Sequence, residues 1–257
     1  MKTKILYFDA PKLTQNNSII VFTGTDERGF YLIPNESCFF PGGGGQETDK
    51  GELVINGEFF NITNAKFIDK QLRIYVDQTS TPLYPGLSAD IIIDPVKRSL
   101  NSLLHSAGHL LSSVVYEELR LDLQPIKGFH FEAGSHVEFI SKSGINQVDL
   151  NEINYRLQQN VAAKHPFTSK IVSSKSKEYE DAFSITGFSP EEDDAVRLVT
   201  IGGFLSYACG GTHVEHTGCL EGLKVNGYKQ KKGNLKIKYG FEKAVEGIKS
   251  NTSHNCS

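Results

Sequence analysis

An α+β fold is predicted, a small β domain followed by a mixed α/β domain, and three observations predict it. Short β-prone runs separated by turn residues fill roughly the first ninety residues, with no helical stripe among them. An amphipathic helical stripe begins abruptly at Asp94-Pro95. Beyond it, strand-like runs share the chain with a second helical segment.

The early runs are residues 5–8, 18–23, 30–33, 52–55, 58–62, 72–76 and 90–93. Asn56-Gly57 separates two of them and is the pair a two-residue hairpin favours, because both turn positions need φ > 0. Many short strands with tight turns point to a small β-barrel or sandwich. Asp94 suits a helix cap and Pro95 the first helical position. Leu100, Leu103, Leu104, Ala107, Leu111, Val114 and Val115 then recur at helical spacing, giving a helix to about Leu119. Strand-like runs follow at 128–132 and 136–140, with Gly134 at the turn. A second helix is expected from about Asp149 to Ala163, closed by Pro166. A strand at 171–172, a short helix from the capping-box spacing of Ser189-Pro190-Glu191-Glu192, and strands at 196–201, 222–228 and 235–239 complete the order. The last dozen residues are polar. The expected division is residues 1–93 and 94–257.

The chain of 257 residues carries 39% apolar and 22% charged residues, which excludes disorder for most of its length. No window reaches the roughly 18 apolar residues of a membrane helix, and the start, residues 1–9, has an acidic residue where a signal peptide needs an apolar run. A cytoplasmic, unprocessed protein with no membrane partner is expected. A net charge of −3 excludes a uniformly basic nucleic-acid coat but not a local basic patch. The four cysteines are sparse and irregularly spaced, so a special one is expected to be a metal ligand or nucleophile.

Two spacings carry chemistry. His105 and His109 lie four apart on the first predicted helix, which stacks both rings on one face. Cys209 and His213 are also four apart, in Cys209-Gly210-Gly211-Thr212-His213. Three imidazoles and one thiolate form a tetrahedral zinc set, and this donor chemistry disfavours magnesium or calcium. Two plainer readings stand beside it: helix-flank histidines, and a closed four-ligand site that is purely structural.

The run His105-Ser106-Ala107-Gly108-His109-Leu110-Leu111, together with Cys209-Gly210-Gly211-Thr212-His213-Val214, resembles the editing domain of alanyl-tRNA synthetase. The same domain occurs in the freestanding alanyl-tRNA editing proteins of the AlaX group, with a relative in threonyl-tRNA synthetase. Phe40-Pro41-Gly42-Gly43-Gly44-Gly45-Gln46, followed by Asp49 and Gly51, is similar to the glycine-rich motif of the longer AlaX proteins. The resemblance runs from about Ile5 to Phe241 and is to the freestanding form. Two departures are Gly42, where the family often has an acidic residue, and Lys236-Ile237, where it often has Arg-Ile.

The resemblance implies an N-terminal β-barrel domain with the glycine-rich motif over 1–93. Residues 94–257 would then form a two-layer, zinc-containing editing domain of the threonyl/alanyl-tRNA synthetase second-additional-domain type. It implies an aminoacyl-tRNA deacylase that removes a wrong amino acid from tRNA(Ala), seryl-tRNA(Ala) foremost and glycyl-tRNA(Ala) in some members. Such a second site is needed because an alanine pocket cannot fully exclude glycine and rejects an added hydroxyl weakly. The zinc ligands are His105, His109, Cys209 and His213, and whether zinc activates water, polarises the carbonyl or only orders the pocket stays open.

Lys127-Gly128-Phe129-His130-Phe131 resembles a pocket wall of the family. It makes Gly128 a substrate-binding candidate and His130 a catalytic one, touching the substrate hydroxyl or the attacking water; the plainer reading is an ordinary strand histidine. Gly43, Gly44 and Gln46 either line the pocket mouth or form a turn. Lys224, Lys229, Lys231, Lys232, Lys236 and Lys238 crowd one short region with no acidic residue among them. The last five are the candidate tRNA-binding residues, against a solvated hairpin as the alternative.

The competing function is a tRNA- or protein-binding module with a structural zinc and no turnover. A zinc peptidase is disfavoured, since no His-Glu-x-x-His motif exists and Ser106 stands where the glutamate would. A cysteine nucleophile at Cys209 lacks an evident third partner.

Overall fold

The computed structural model describes residues 2–77, 81–141, 144, 148–182, 194–231 and 233–242. The short helix expected at 189–192 and the polar tail lie outside them. The chain forms two compact units, one from Met1–Gly43 with Glu47–Ser99, the other from Gly44–Gln46 with Leu100–Ser257.

The first unit is a closed six-stranded antiparallel barrel. Its strands are β1 (Gln15–Asp26), β2 (Gly29–Pro34), β3 (Gly51–Ile55), β4 (Glu58–Ile68), β5 (Gln71–Val76) and β6 (Ser88–Ile93), in the order β1-β2-β5-β4-β3-β6. Closure depends on two long strands that each serve two partners. β1 pairs with β6 through Gln15–Ile19 and with β2 from Ile20 onward, with a register shift between Ile20 and Phe22. β4 likewise serves β3 and then β5, shifting between Ile62 and Asn64. Such bulges bend a strand around the corner of a small barrel. Alternate residues Ile20, Leu32, Leu53, Ile55, Ile62, Leu72, Ile74, Ile91 and Ile93 fill the interior. The Asn56-Gly57 hairpin forms as expected, with φ of 52° and 82°.

The run at 5–8 departs from expectation. Only Lys4–Ile5 is strand, paired in parallel with Glu36–Ser37, and Leu6–Phe8 is a 3-10 turn. The turn wins because the Asp9 and Ala10 N–H groups both donate to Leu6 O, which lets Tyr7 bury edge-on to Phe40.

Helix α1 (Pro95–Ser113) is capped by Asp94, whose Oδ1 accepts the Val96 and Lys97 N–H groups at 2.9 and 3.0 Å. It gives way to a wider π turn at Val114–Glu118, short of the expected Leu119, where Leu119 N–H reaches back to Val114 O.

The second unit holds an antiparallel sheet of β7 (Gln124–Phe129), β8 (His136–Ile140), β12 (Leu223–Lys231) and β13 (Asn234–Phe241), ordered β12-β13-β8-β7. A smaller antiparallel sheet joins β9 (Phe167–Ser173), β10 (Ala195–Ile201) and β11 (Tyr207–Ala208). Helix α2 (Leu150–Ala162) starts at its Asp149 cap and docks on β12, where Asn154 exchanges two hydrogen bonds with the Val225 backbone. A four-residue α3 (Lys177–Glu180) follows β9. Leu110, Leu111, Val137, Phe139, Leu157, Leu235 and Ile237 form the core between helices and sheet.

β7 begins four residues earlier than expected and ends before His130. Pro125 falls within it because β7 is an edge strand, where a missing N–H is tolerated. No helix of the described residues is long and apolar enough to cross a membrane.

Candidate metal centre

Helix α1 presents His105 and His109 one turn apart, and the loop after β11 presents Cys209 and His213. One donor atom from each lies within 4.8 Å of all the others. His105 Nε2 and His213 Nε2 sit 3.6 and 3.3 Å from Cys209 Sγ. A tetrahedron with zinc bonds of 2.0 Å to nitrogen and 2.3 Å to sulfur has N–S edges of about 3.5 Å. All three imidazoles are at most 5% exposed. His109 Nδ1 is buried without a hydrogen-bond partner among the described residues. An orphaned ring nitrogen beside a thiol and two inward imidazoles fits a metal better than it fits a protein-only network.

Neighbours hold three of the four candidate ligands, His105, His213 and Cys209. Gln46 Oε1 accepts the Thr212 N–H at 2.9 Å, and Gln46 Nε2 donates to Thr212 Oγ1 at 2.9 Å, so the amide orientation is set. Oε1 therefore also accepts from His105 Nδ1, 2.7 Å away, and His105 Nε2 keeps its lone pair. Ser106 Oγ accepts the Val214 N–H and lies 3.1 Å from His213 Nδ1. Phe167 stacks on the His213 ring at 5.3 Å. Arg197 Nη1 donates to the carbonyls of Cys209 and Gly211, pinning the ligand loop. The Gly211 N–H points at Cys209 Sγ at 3.4 Å, and a Cβ on Gly211 would overlap His105 Cε1.

Burial sets the charge states. It holds the His105 and His213 imidazoles well below the ordinary range, reinforced by neighbouring histidines and Arg197. It takes His109 to about 3, with Arg197 adding to the effect. Burial also raises the Cys209 thiol, opposed by the Gly211 N–H and Arg197. Neutral imidazoles are the ligating form, so capture of a cation would release the thiol proton.

His130 follows β7 and stacks on His105, centroids 4.8 Å apart at 30°. Its N–H donates to Gly45 O at 2.8 Å, and burial takes its imidazole to about 3. Gly128 lies in β7 under this ring, and a Cβ there would overlap His130 Nε2. Gln46 is buried, and its amide is engaged with His105 and Thr212 rather than free at a pocket mouth. Gly43 and Gly44 are exposed turn residues with φ of 135° and 57°.

The β12–β13 register sets Lys229 opposite Lys236, Lys231 opposite Asn234 and Lys238 opposite Gly227. Lys232 lies outside the described residues. The basic run is less free of acid than its sequence suggests: Glu138 pairs with Lys236 at 3.0 Å and Glu242 with Lys224 at 2.7 Å.

Sequence reasoning missed Arg197, the pairing of Gln46 with His105, and Tyr239, which contacts His130. A signal existed for Ser102 and Ser106. With His105 and His109 they make a polar stripe at helical spacing on a helix face that is otherwise buried.

The family described as "Threonyl and Alanyl tRNA synthetase second additional domain" matches residues 196–237. The chain is 30% identical over 233 residues to the alanyl-tRNA editing protein AlaX-M of Methanosarcina acetivorans, covering 87% of this chain and 92% of that protein. For AlaX-M of Methanosarcina mazei the identity is 29%, with 86% and 90% covered. An alanine–tRNA ligase of Haemophilus influenzae is 28% identical over 76% of this chain, which spans only 22% of the ligase's length.

Proposed function

The chain belongs to the alanyl-tRNA editing protein family, and from that premise we propose that it is an aminoacyl-tRNA deacylase acting in trans on mischarged tRNA(Ala). Its substrates are seryl-tRNA(Ala) first and glycyl-tRNA(Ala) second, hydrolysed at the aminoacyl ester in the cytoplasm. The observation that carries this reading is the convergence of one cysteine and three histidine donors within 4.8 Å. His105, His109, Cys209 and His213 would hold zinc. Bound there, zinc supplies Lewis-acid polarisation of the ester carbonyl or of water.

The chain's own residues do the positioning. Gln46 and Ser106 orient His105 and His213, and Arg197 holds the loop that carries Cys209. His130 accepts a proton or a hydrogen bond from the attacking water or the substrate hydroxyl. Lys229, Lys231, Lys232, Lys236 and Lys238 supply a track for tRNA phosphates. Gly43 and Gly44 leave space for the aminoacyl end, and Gly128 acts there through the room it gives the His130 ring.

A closed set of four protein donors favours a second reading, a binding module with a structural zinc. Deacylation of seryl-, glycyl- and alanyl-tRNA(Ala), with zinc content measured on wild type and Cys209→Ala, separates the two. Loss of serine, sparing of alanine and an inactive, zinc-poor variant support the editor. Full zinc occupancy without release of any amino acid establishes the binding module.

A further inference from the structure

The sheet of β7, β8, β13 and β12 packs one face on the helices through Val137, Phe139, Leu235 and Ile237. Strand alternation turns their neighbours to the other face. The register sets those neighbours in two rows: Gly227, Lys238, His136 and Phe129 in one, Lys229, Lys236, Glu138 and Lys127 in the next. None of these side chains belongs to the hydrophobic core.

Three rings stack on this second face. Phe129 lies between Phe131 and His136, with centroids 4.3 and 5.1 Å away and ring planes within 22° of its own. All three residues are half-buried. Among the described residues no further ring stacks on Phe131 or His136, so each keeps one face of the stack open. Four lysines stand in the same two rows, against one carboxylate, Glu138, which Lys236 engages at 3.0 Å. Duplex RNA is held through its phosphates and needs lysines but no rings. An apolar protein partner needs rings but few lysines. Rings interleaved with lysines on an antiparallel sheet suit a single strand, whose bases stack while its phosphates pair. Between Phe129 and Phe131, His130 turns the opposite way and stacks on His105, so this face backs onto the candidate metal centre.

We infer that the second face of the sheet is a stacking platform for unpaired nucleotides, with Phe131 and His136 taking base faces and the lysines taking phosphates. The inference rests on the tRNA reading above for the source of the strand, the unpaired 3′ end that carries the aminoacyl ester. The phosphate track thereby gains aromatic contacts and a preference for single strand over duplex.

The test uses the zinc-loaded protein and an uncharged, fluorescein-labelled single-stranded RNA ending in CCA, with a blunt duplex of the same length beside it. Fluorescence anisotropy is expected to show the single strand bound more tightly. Phe131→Leu keeps apolar bulk and loses the aromatic face; it is expected to weaken single-strand binding about tenfold with an unchanged salt slope, and Phe131→Tyr to keep the affinity. Lys229→Gln combined with Lys238→Gln is expected to flatten the salt slope by about 1.4. A duplex bound as tightly as the single strand, or Phe131→Leu binding like wild type, overturns the inference. Wild type that binds neither RNA overturns it too and leaves the face to a protein partner. If Phe131→Leu does not fold, crosslinking of 4-thiouridine-substituted single strand to wild type decides: adducts on residues 127–138 support the platform, and adducts confined elsewhere overturn it. The RNA carries no amino acid, so the two readings fail separately. Deacylation alongside binding that ignores Phe131 removes the platform alone, and Phe131-dependent binding without deacylation removes the deacylase alone.

Discussion

Two buried polar clusters in this molecule differ in how they are satisfied. In the barrel unit, the Arg98 and Asp49 side chains are 2% and 0% exposed. Arg98 Nε donates to Asp49 Oδ1 at 3.0 Å, and Nη2 bonds Asp49 Oδ2 and the Cys38 carbonyl. Nη1 reaches the carbonyls of Pro11 and Leu13, and the Phe40 N–H donates to Asp49 Oδ2. Opposite charges cancel and the protein fills the polar positions itself. In the second unit, three buried imidazoles and a thiol bring their donor atoms within 4.8 Å of one another, and one ring nitrogen has no partner among the described residues. The first cluster is complete, and it closes the base of the glycine-rich loop through Phe40 and Asp49. The second asks for a cation. Burial alone does not tell a structural polar group from a functional one; internal satisfaction does.

Perturbing each cluster should therefore read out differently. The largest effect is expected from Asp49→Ala, which strands a buried guanidinium and should cost about 3–5 kcal/mol in urea unfolding without changing zinc stoichiometry. A loss under about 1 kcal/mol would break the comparison on its structural side. Next comes metal linkage. Free zinc at about 100 times its dissociation constant should stabilise wild type by about 2.7 kcal/mol, and Cys209→Ala should lose most of that gain. Equal thermal shifts in both proteins would place the zinc elsewhere.

Gln46→Ala should weaken zinc by about 10–100-fold in competition with a chelator, because His105 loses the acceptor that fixes its ring. Unchanged affinity would mean that His105 is oriented by packing alone. The smallest effect is expected from Ser106→Ala, at about tenfold, since its 3.1 Å contact to His213 is longer than the 2.7 Å contact of Gln46. A Ser106 effect exceeding that of Gln46 would reverse the ranking and make His213 the more dependent ligand.

The legible part of the sequence is its local signals. The Asn56-Gly57 turn, the Asp94 cap and the stripe of α1 are set by residues within a few positions of one another. The same holds for the paired spacings of His105 with His109 and Cys209 with His213. What was missed depends on distant pairing. Gln46 meets His105 across 59 residues and Tyr239 meets His130 across 109, and no local pattern announces either. The acid beside Lys236 comes from the neighbouring strand β8. The start of β7 contains Pro125, which an edge strand tolerates, and the sequence does not say which strand lies at a sheet edge.

Covalent order and physical membership part company at Gly44–Gln46. These three residues lie in the N-terminal stretch of the chain yet belong to the second unit, where Gln46 bonds His105. The boundary between the units also falls inside α1, after its first turn, and not in a linker. A gene cut near residue 94 would thus encode a protein short of one hydrogen-bond acceptor at its centre. An engineered version without the barrel would leave His105 Nδ1 without the Gln46 acceptor unless a replacement were built in, so the modularity of this architecture has a definite chemical cost.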